Sequence, residues 1–353
     1  MAKSNVTLKQ IAEEAGVSTT TVHRVLNDKE GCGEELKAKI LRIAKDLGYS
    51  VNVSASSLRK KTSHIALVFP SGNRSSRFFM GHILDGYRRC QEDLTPCNVQ
   101  FQEYYYNYDD PDSMCPILRD ICQDEPVHFD GIALWGITTS EKVTAMLNRL
   151  QGKGIPMVML ERAPTDPDLY DCCVGPDDQL VGAIAGELLA KLTRRSGKVL
   201  ILTQELGYPD PNGLACIREL ASQGRTDLEP VVLSLPMLDT IHTAAVKQAL
   251  ETVPGIVALY STCARHTLAS IRAIRELDCR LDAAVGSEVF EESTAALADG
   301  TLSAVVNKCP HTIGYQALQM LFDRVVKNES LPKEYRVMPL IVMGANRFAC
   351  QNY

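Results

Sequence analysis

The first residues of this 353-residue chain whose types and spacing suit chemistry lie near its N-terminus. Thr19, Thr20, His23 and Arg24 follow the three- and four-residue spacing that places side chains together on one helical face. The set combines short hydrogen-bonding groups with a cation at the start of a helix. Such side chains reach base edges in a DNA major groove, and a helix N-terminus favours a nearby phosphate. Nothing comparable points to catalysis. The sequence has no G-x-G-x-x-G after a strand, no phosphate-cradling G-x-x-x-x-G-K-[ST] loop and no G-x-S-x-G elbow. Its seven histidines are dispersed without metal-ligand spacing. The expectation is a binding protein, with no catalytic residue, metal or cofactor.

Three short amphipathic helices must position those groups. Thr7-Leu8-Lys9-Gln10 fits a capping box that opens the first helix. Leu8, Ile11, Ala12 and Ala15 form its apolar stripe, and Gly16 ends it. Ser18 caps a second helix over about 19–27, with Val22, Val25 and Leu26 inward. A third spans Glu34 to Leu47 before Gly48. Charge follows the same division. Residues 1–62 hold eleven Lys/Arg against seven Asp/Glu, whereas the remainder holds twenty-six against thirty-six. A basic end on an acidic body suits one localised nucleic-acid module.

From His64 onward short apolar runs alternate with helical patterns. Strands are expected at Ile65–Phe69, Val99–Tyr105, Gly131–Trp135, Pro156–Glu161, Lys198–Thr203, Val231–Leu235, Ile256–Ser261, Ala283–Glu288, Ser303–Asn307 and Val337–Gly344. One helical stripe is Leu180, Val181, Ile184, Leu188 and Leu192; another is Ile313, Ala317, Leu321 and Val325. This rhythm predicts parallel sheets covered by helices on both faces. The body is large enough for two such α/β lobes. No apolar run is long enough to span a membrane. The opening MAKSNVTLKQ lacks a signal-peptide core, so the expected location is the cytoplasm. Twelve cysteines without a C-x-x-C pair then read as reduced thiols.

Thr7–Ala12, Ala15-Gly16-Val17-Ser18, Thr21–Asn27 and Leu47-Gly48-Tyr49 closely resemble the lac-repressor family of bacterial regulators, and the likeness continues in order through the chain. It implies an all-α helix-turn-helix domain at 1–50, a hinge at 51–62 and a two-lobed α/β effector domain, resembling periplasmic binding proteins, at 63–353. The implied lobes cover 63–161 with 289–324, and 162–288 with 325–353, with crossings near 162, 288 and 325. The implied protein is a repressor of a carbohydrate-utilisation operon, working as a homodimer on a palindromic operator. Its implied DNA contacts are Thr7, Ser18, Thr19, Thr20, Thr21, His23, Arg24 and Asn27. The hinge adds Asn52, Ala55, Arg59 and Leu58, a wedge for the minor groove. The alternatives are a corepressor-dependent regulator and a carbohydrate-binding protein outside transcription. His23 stands where the family usually has serine, and Val51 where it commonly has proline.

Ligands in open α/β sheets bind beyond the carboxyl ends of strands. The effector candidates are therefore Asn73, Phe78, Phe79, Gly136, Glu161, Arg162, Ser261, Glu288 and Lys308. The resemblance matches Glu161-Arg162 to an acid–arginine pair that holds sugar hydroxyls. Glu288 replaces the usual aspartate, Lys308 a common glutamine, and Gly213 a common arginine. The implied ligand is a sugar, sugar acid, sugar phosphate or polyol; the bland alternative is that Glu288 and Lys308 simply pair with each other.

Overall fold

The computed structural model describes residues 7–26, 32–47, 62–71, 78–108, 110–136, 140–205, 209–236 and 242–348. Asn27, Asn52, Ala55, Leu58, Arg59 and Asn73 lie outside them, as does the hinge segment apart from Thr62. The head falls within Met1–Lys61 and the body starts at Thr62.

The head contains α1 (Leu8–Ala15), α2 (Thr19–Leu26) and α3 (Glu34–Asp46). Ile11, Ala12, Ala15, Val22, Val25, Ile40, Ile43 and Ala44 close a small core. Its borders are set by hydrogen bonds at the helix ends. The Thr7 hydroxyl accepts from the Gln10 amide at 3.4 Å, and Gln10 Oε1 accepts from the Thr7 amide at 2.7 Å. Gly16 takes the left-handed conformation that ends α1, and Lys39 Nζ donates to the Ala15 carbonyl at 3.0 Å. Thr7→Ala should lower head stability by about 1 kcal/mol. Thermal unfolding followed by helical circular dichroism on the full chain measures it; an unshifted head transition would rule out the cap.

Among the described residues, the body holds two six-stranded sheets. The first runs, in spatial order, β11 (Glu334–Val337), β5 (Cys172–Pro176), β4 (Met157–Leu160), β3 (Gly131–Trp135), β1 (Ser63–Ser71) and β2 (Val99–Asn107). The second runs β12 (Leu340–Val342), β10 (Ala304–Asn307), β9 (Ala283–Ser287), β8 (Ile256–Ser261), β6 (Gly197–Gln204) and β7 (Leu228–Leu235). All neighbouring strands pair in parallel except β10 and β12. The inner strands β3, β4, β5, β9 and β10 are buried along their whole length, as strands covered on both faces must be.

The helices follow the strands: α4 (Met80–Leu94), α5 (Met114–Cys122), α6 (Glu141–Gly152), α7 (Asp178–Leu192), α8 (Pro211–Ser222), α9 (His242–Thr252), α10 (Ala264–Glu276), α11 (Glu291–Asp299) and α12 (Pro310–Phe322). Helix α12 buries Ile313, Ala317 and Leu321, the expected stripe. Helix α7 turns Val181, Ala185 and Leu189 to the core, leaving Ile184, Leu188 and Leu192 only partly covered. Its inner face is thus rotated from the expected stripe, because small Gly182 and Gly186 sit against the backbone of α8.

The chain passes between sheets three times, each time later than expected. The expected crossing near 162 lies between Pro176 and Asp178, because β5 joins the first sheet beside β4. That near 288 falls between Asn307 and Pro310, because β10 still pairs with β9. That near 325 lies between Val337 and Leu340, because β11 returns to pair with β5. The lobe limits of 161/162, 288/289 and 324/325 are corrected accordingly. The expected single strand Val337–Gly344 is divided between the two sheets, with Pro339 in the connection, where its missing amide donor breaks no ladder. No helix among the described residues is long and apolar enough to cross a membrane.

Candidate functional site

The head presents one polar face. On α2, Val22 and Val25 are buried while Thr19, Thr20, His23 and Arg24 are exposed. Ser18 and Thr21 are engaged with each other: the Thr21 amide donates to Ser18 Oγ at 3.1 Å, and the two hydroxyls lie 2.9 Å apart. Those two, like Thr7, shape the ends of helices. Thr19, Thr20, His23 and Arg24 are the side chains that this packing turns outward.

In the body, the candidate residues gather at carboxyl ends of strands from both sheets. Glu161 follows β4, Glu288 follows β9 and Lys308 follows β10. Glu161 (φ 65°), Glu288 (φ 68°) and Cys309 (φ 58°) all take left-handed backbone conformations, which non-glycine residues adopt at a cost of about 1–3 kcal/mol. The two glutamate turns are tied down locally. The Glu161 amide donates to the Val174 carbonyl at 2.8 Å and that of Arg162 to the Leu160 carbonyl at 2.7 Å. The Glu288 carbonyl accepts from Ser293 Oγ at 3.1 Å.

Gly136 has a positioning role. A Cβ there would stand 2.5 Å from the Leu160 carbonyl oxygen and 2.7 Å from that of Arg162. Its missing side chain lets the Glu161–Arg162 turn pack against the end of β3, so it offers no side-chain contact to a ligand. Ser261 is also corrected as an effector contact. It is fully buried, with its hydroxyl 2.9 Å from Ser270 Oγ, because it faces α10 inside the lobe. Phe78 stacks on Phe290 at 4.6 Å between ring centroids, and Phe79 meets Trp135 edge-on at 6.4 Å. Those rings line the lobes beside the strand ends.

The charged groups form one electrostatic cluster. Glu288 is 2% exposed, and neither carboxylate oxygen has a hydrogen-bond partner. Burial pushes its carboxyl up to about 7, against the pull of Lys308. Lys308 is itself 8% exposed and donates to the Thr262 carbonyl at 3.1 Å. Burial opposes its charge, but Asp178, Glu288 and Asp210 together hold the ammonium above its ordinary range. Glu288 and Lys308 attract each other, and Lys308 also answers to Asp178 and Asp210. Glu161 is also raised by burial, opposed by Arg162, Lys308 and Arg265. Groups from both sheets therefore act on one another across the cleft.

Sequence reasoning missed Asp178, Asp210, Asn212, Thr262 and Arg265. Asp210 Oδ2 accepts from Thr262 Oγ1 at 2.8 Å and from the Gln204 amide at 3.2 Å, while Asp210 Oδ1 accepts from the Asn212 amide at 2.9 Å. Asn212 Nδ2 donates to Asp178 Oδ1 at 3.1 Å, and its own Oδ1 is buried without a partner. A signal was present: Asp177-Asp178 and Asp210-Pro211 are helix-start sequences, and helix starts lie at the carboxyl ends of the preceding strands. Gly213, which stands where an arginine was expected, has no room for one. A Cβ there would lie 2.7 Å from Thr203 Cγ2.

Comparison with known proteins matches residues 7–52 to the family model "Bacterial regulatory proteins, lacI family" and residues 98–329 to "Periplasmic binding protein domain". The "Probable HTH-type transcriptional repressor ExuR" of Bacillus subtilis is 33% identical over 159 residues, 44% of this chain and 43% of that protein. The match thus spans less than half of ExuR. The "HTH-type transcriptional regulator CelR" of Thermobifida fusca is 23% identical over 92% of this chain and 94% of its own. Among solved structures, a solute-binding protein of Bacillus halodurans with bound myo-inositol superposes with a TM-score of 0.69 at 15% identity, over 82% of this chain and 98% of its own.

Proposed function

Since this chain belongs to the periplasmic-binding-protein family through its body and carries a lacI-family head, we propose that it is a transcription repressor whose hold on operator DNA is set by a small carbohydrate-like effector. The observation that carries this is the union, in one polypeptide, of two kinds of surface. Helix α2 exposes Thr19, Thr20, His23 and Arg24 on the head. Strand ends from two sheets converge on a buried polar cluster in the body. Names of relatives agree: ExuR and CelR are transcriptional regulators, and the Bacillus halodurans neighbour holds a polyol. One recognition helix reads only a short half-site, so the working unit is a homodimer on a palindromic operator. The regulated genes would serve carbohydrate use.

An effector controls DNA binding only by favouring one arrangement of the lobes. Operator and effector affinities must then change each other by the same factor. The test is a gel shift on operator DNA selected with the full-length chain. Arg24→Ala and Thr20→Ala should each cost about 1–3 kcal/mol of operator binding, or roughly fivefold to more than a hundredfold in affinity, with sugar binding unchanged. Selection that enriches no sequence, or variants that bind like the parent, would overturn the proposal. Loss of operator binding when effector is added marks an inducer; gain marks a corepressor.

A further inference from the structure

A second cavity lies outside the charged cluster of the strand ends. It is a groove of about 520 Å³ bounded by α11, the Arg347-Phe348 turn, the Asn307–Pro310 connection and His82 of α4. Among the described residues that line it, none belongs to the charged cluster. A groove of that size suits a small molecule. Its walls are mostly apolar. Val289, Phe290, Pro310 and Phe348 supply bulk, while Ala295 and Ala298 leave room along α11.

Two of those walls are rings held in place. Phe348 is 59% exposed, yet the Arg347 guanidinium lies 4.3 Å from its ring centre, and Arg347 in turn donates to the Gly344 carbonyl. Phe290 is buried and stacks on Phe78 at 4.6 Å. Fixed rings favour a flat aromatic guest, through stacked or edge-on contacts. Two polar groups sit among them. Thr294 is 8% exposed, and its Oγ1 has no hydrogen-bond partner. Asn307 is buried, and its Oδ1 accepts from the Cys309 amide at 3.4 Å, which leaves its NH2 group to donate. A buried hydroxyl without a partner is costly, and a hydroxyl on the guest would answer it while accepting from Asn307. Charge gives no preference, because Arg347 and Glu291 line the groove with opposite signs.

We propose that this groove is a second ligand site, for an uncharged, flat aromatic molecule that carries a hydroxyl. The ring lies against Phe348 and Phe290, and the hydroxyl meets Thr294 and Asn307. The site also spans the lobes: His82 belongs to the first, whereas α11 and Phe348 belong to the second. A guest that touches both favours the lobe arrangement that forms the groove. Under the repressor function proposed above, on which this last step rests, it changes operator affinity without occupying the effector cluster.

The test is calorimetric titration of the full-length chain with β-naphthol, beside its saturated analogue decahydro-β-naphthol and the anion β-naphthoate. β-Naphthol should bind roughly tenfold more tightly than either. Ala298→Phe fills the groove from an exposed helix position and should weaken β-naphthol roughly tenfold or more. Thr294→Val should weaken it about threefold to tenfold, and Thr294→Ser should restore most of the loss. Thermal unfolding checks that each variant is folded. In gel shifts, β-naphthol should change the operator affinity of the parent about fivefold or more, and that of Ala298→Phe not at all. No binding of β-naphthol, equal binding of the saturated analogue, or undiminished binding to Ala298→Phe would overturn the site. So would an Ala298→Phe chain that sediments as a monomer where the parent is a dimer, since a second copy would then fill the groove. Binding with an unchanged gel shift would overturn the coupling and leave the site standing. A chain that holds no operator at all would overturn the repressor function, while the titration still decides the groove.

Discussion

Lys308→Met should destabilise the body by about 3–5 kcal/mol near neutral pH, the usual cost of removing one partner from a buried set of charges. Methionine keeps most of the volume of lysine, so the loss is electrostatic. Lys308 is the cation that Asp178, Glu288 and Asp210 share, and its ammonium also serves the Thr262 carbonyl. Without it, the carboxylates that shared it lose their cation where water is scarce, Glu288 and Asp210 being 2% and 5% exposed. Urea unfolding of the full-length variant measures the effect. Part of the loss should return at pH 5, where Glu288 is protonated, and part on adding Glu288→Gln. A variant as stable as the parent at pH 8 would show that water, not Lys308, balances the cluster.

Glu288→Gln should have the opposite sign. The Glu288 carboxyl stands at about 7 in the folded chain against an ordinary 4.5. Between those values the folded state binds more protons than the unfolded one. Stability is therefore highest below about 4.5, falls as pH rises through the window, and is flat above about 7 with respect to this group. The drop amounts to about 3 kcal/mol. The glutamine variant has no such group to titrate, so it should lose this slope and be about 2–3 kcal/mol more stable than the parent at pH 8. It should bind the effector more weakly, having given up a carboxylate acceptor. Unfolding curves at pH 5 and pH 8 for both proteins decide it: if the parent and variant differ equally at both, Glu288 is not the titrating group.

The parts of the molecule legible in sequence were those encoded locally. The capping box at Thr7, the left-handed Gly16 and the alternation of Val22 and Val25 with Thr19, Thr20, His23 and Arg24 are all near-neighbour patterns. The strand–helix rhythm of the body was equally plain. What escaped was set by pairing at a distance. Strand β5 reads as Cys172-Cys173-Val174-Gly175-Pro176, whose Gly-Pro ending looks like a turn. Only its place between β4 and β11 makes it a strand. Missing it, and misplacing β10 and β11, moved every lobe limit. The site shows the same division. Glu161, Arg162, Glu288 and Lys308 could be picked out from strand ends. Asp178, Asp210, Asn212 and Arg265 arrive from helix starts scattered between residues 178 and 265, and only the folded sheet shows that they meet.

The left-handed turns at Glu161 and Glu288 have an evolutionary consequence. Glycine at either place would relieve the backbone and also delete the carboxylate, so the mutations that most easily toughen this protein are those that deafen it. A population selected only for survival of the fold at high temperature should collect glycine at 161 and 288 early, gaining robustness at each step. If the chain works as proposed, its members would still grip their operator but would no longer hear the metabolite. Under the proposed function, only selection for the signal itself would hold acidic residues in both of these costly turns.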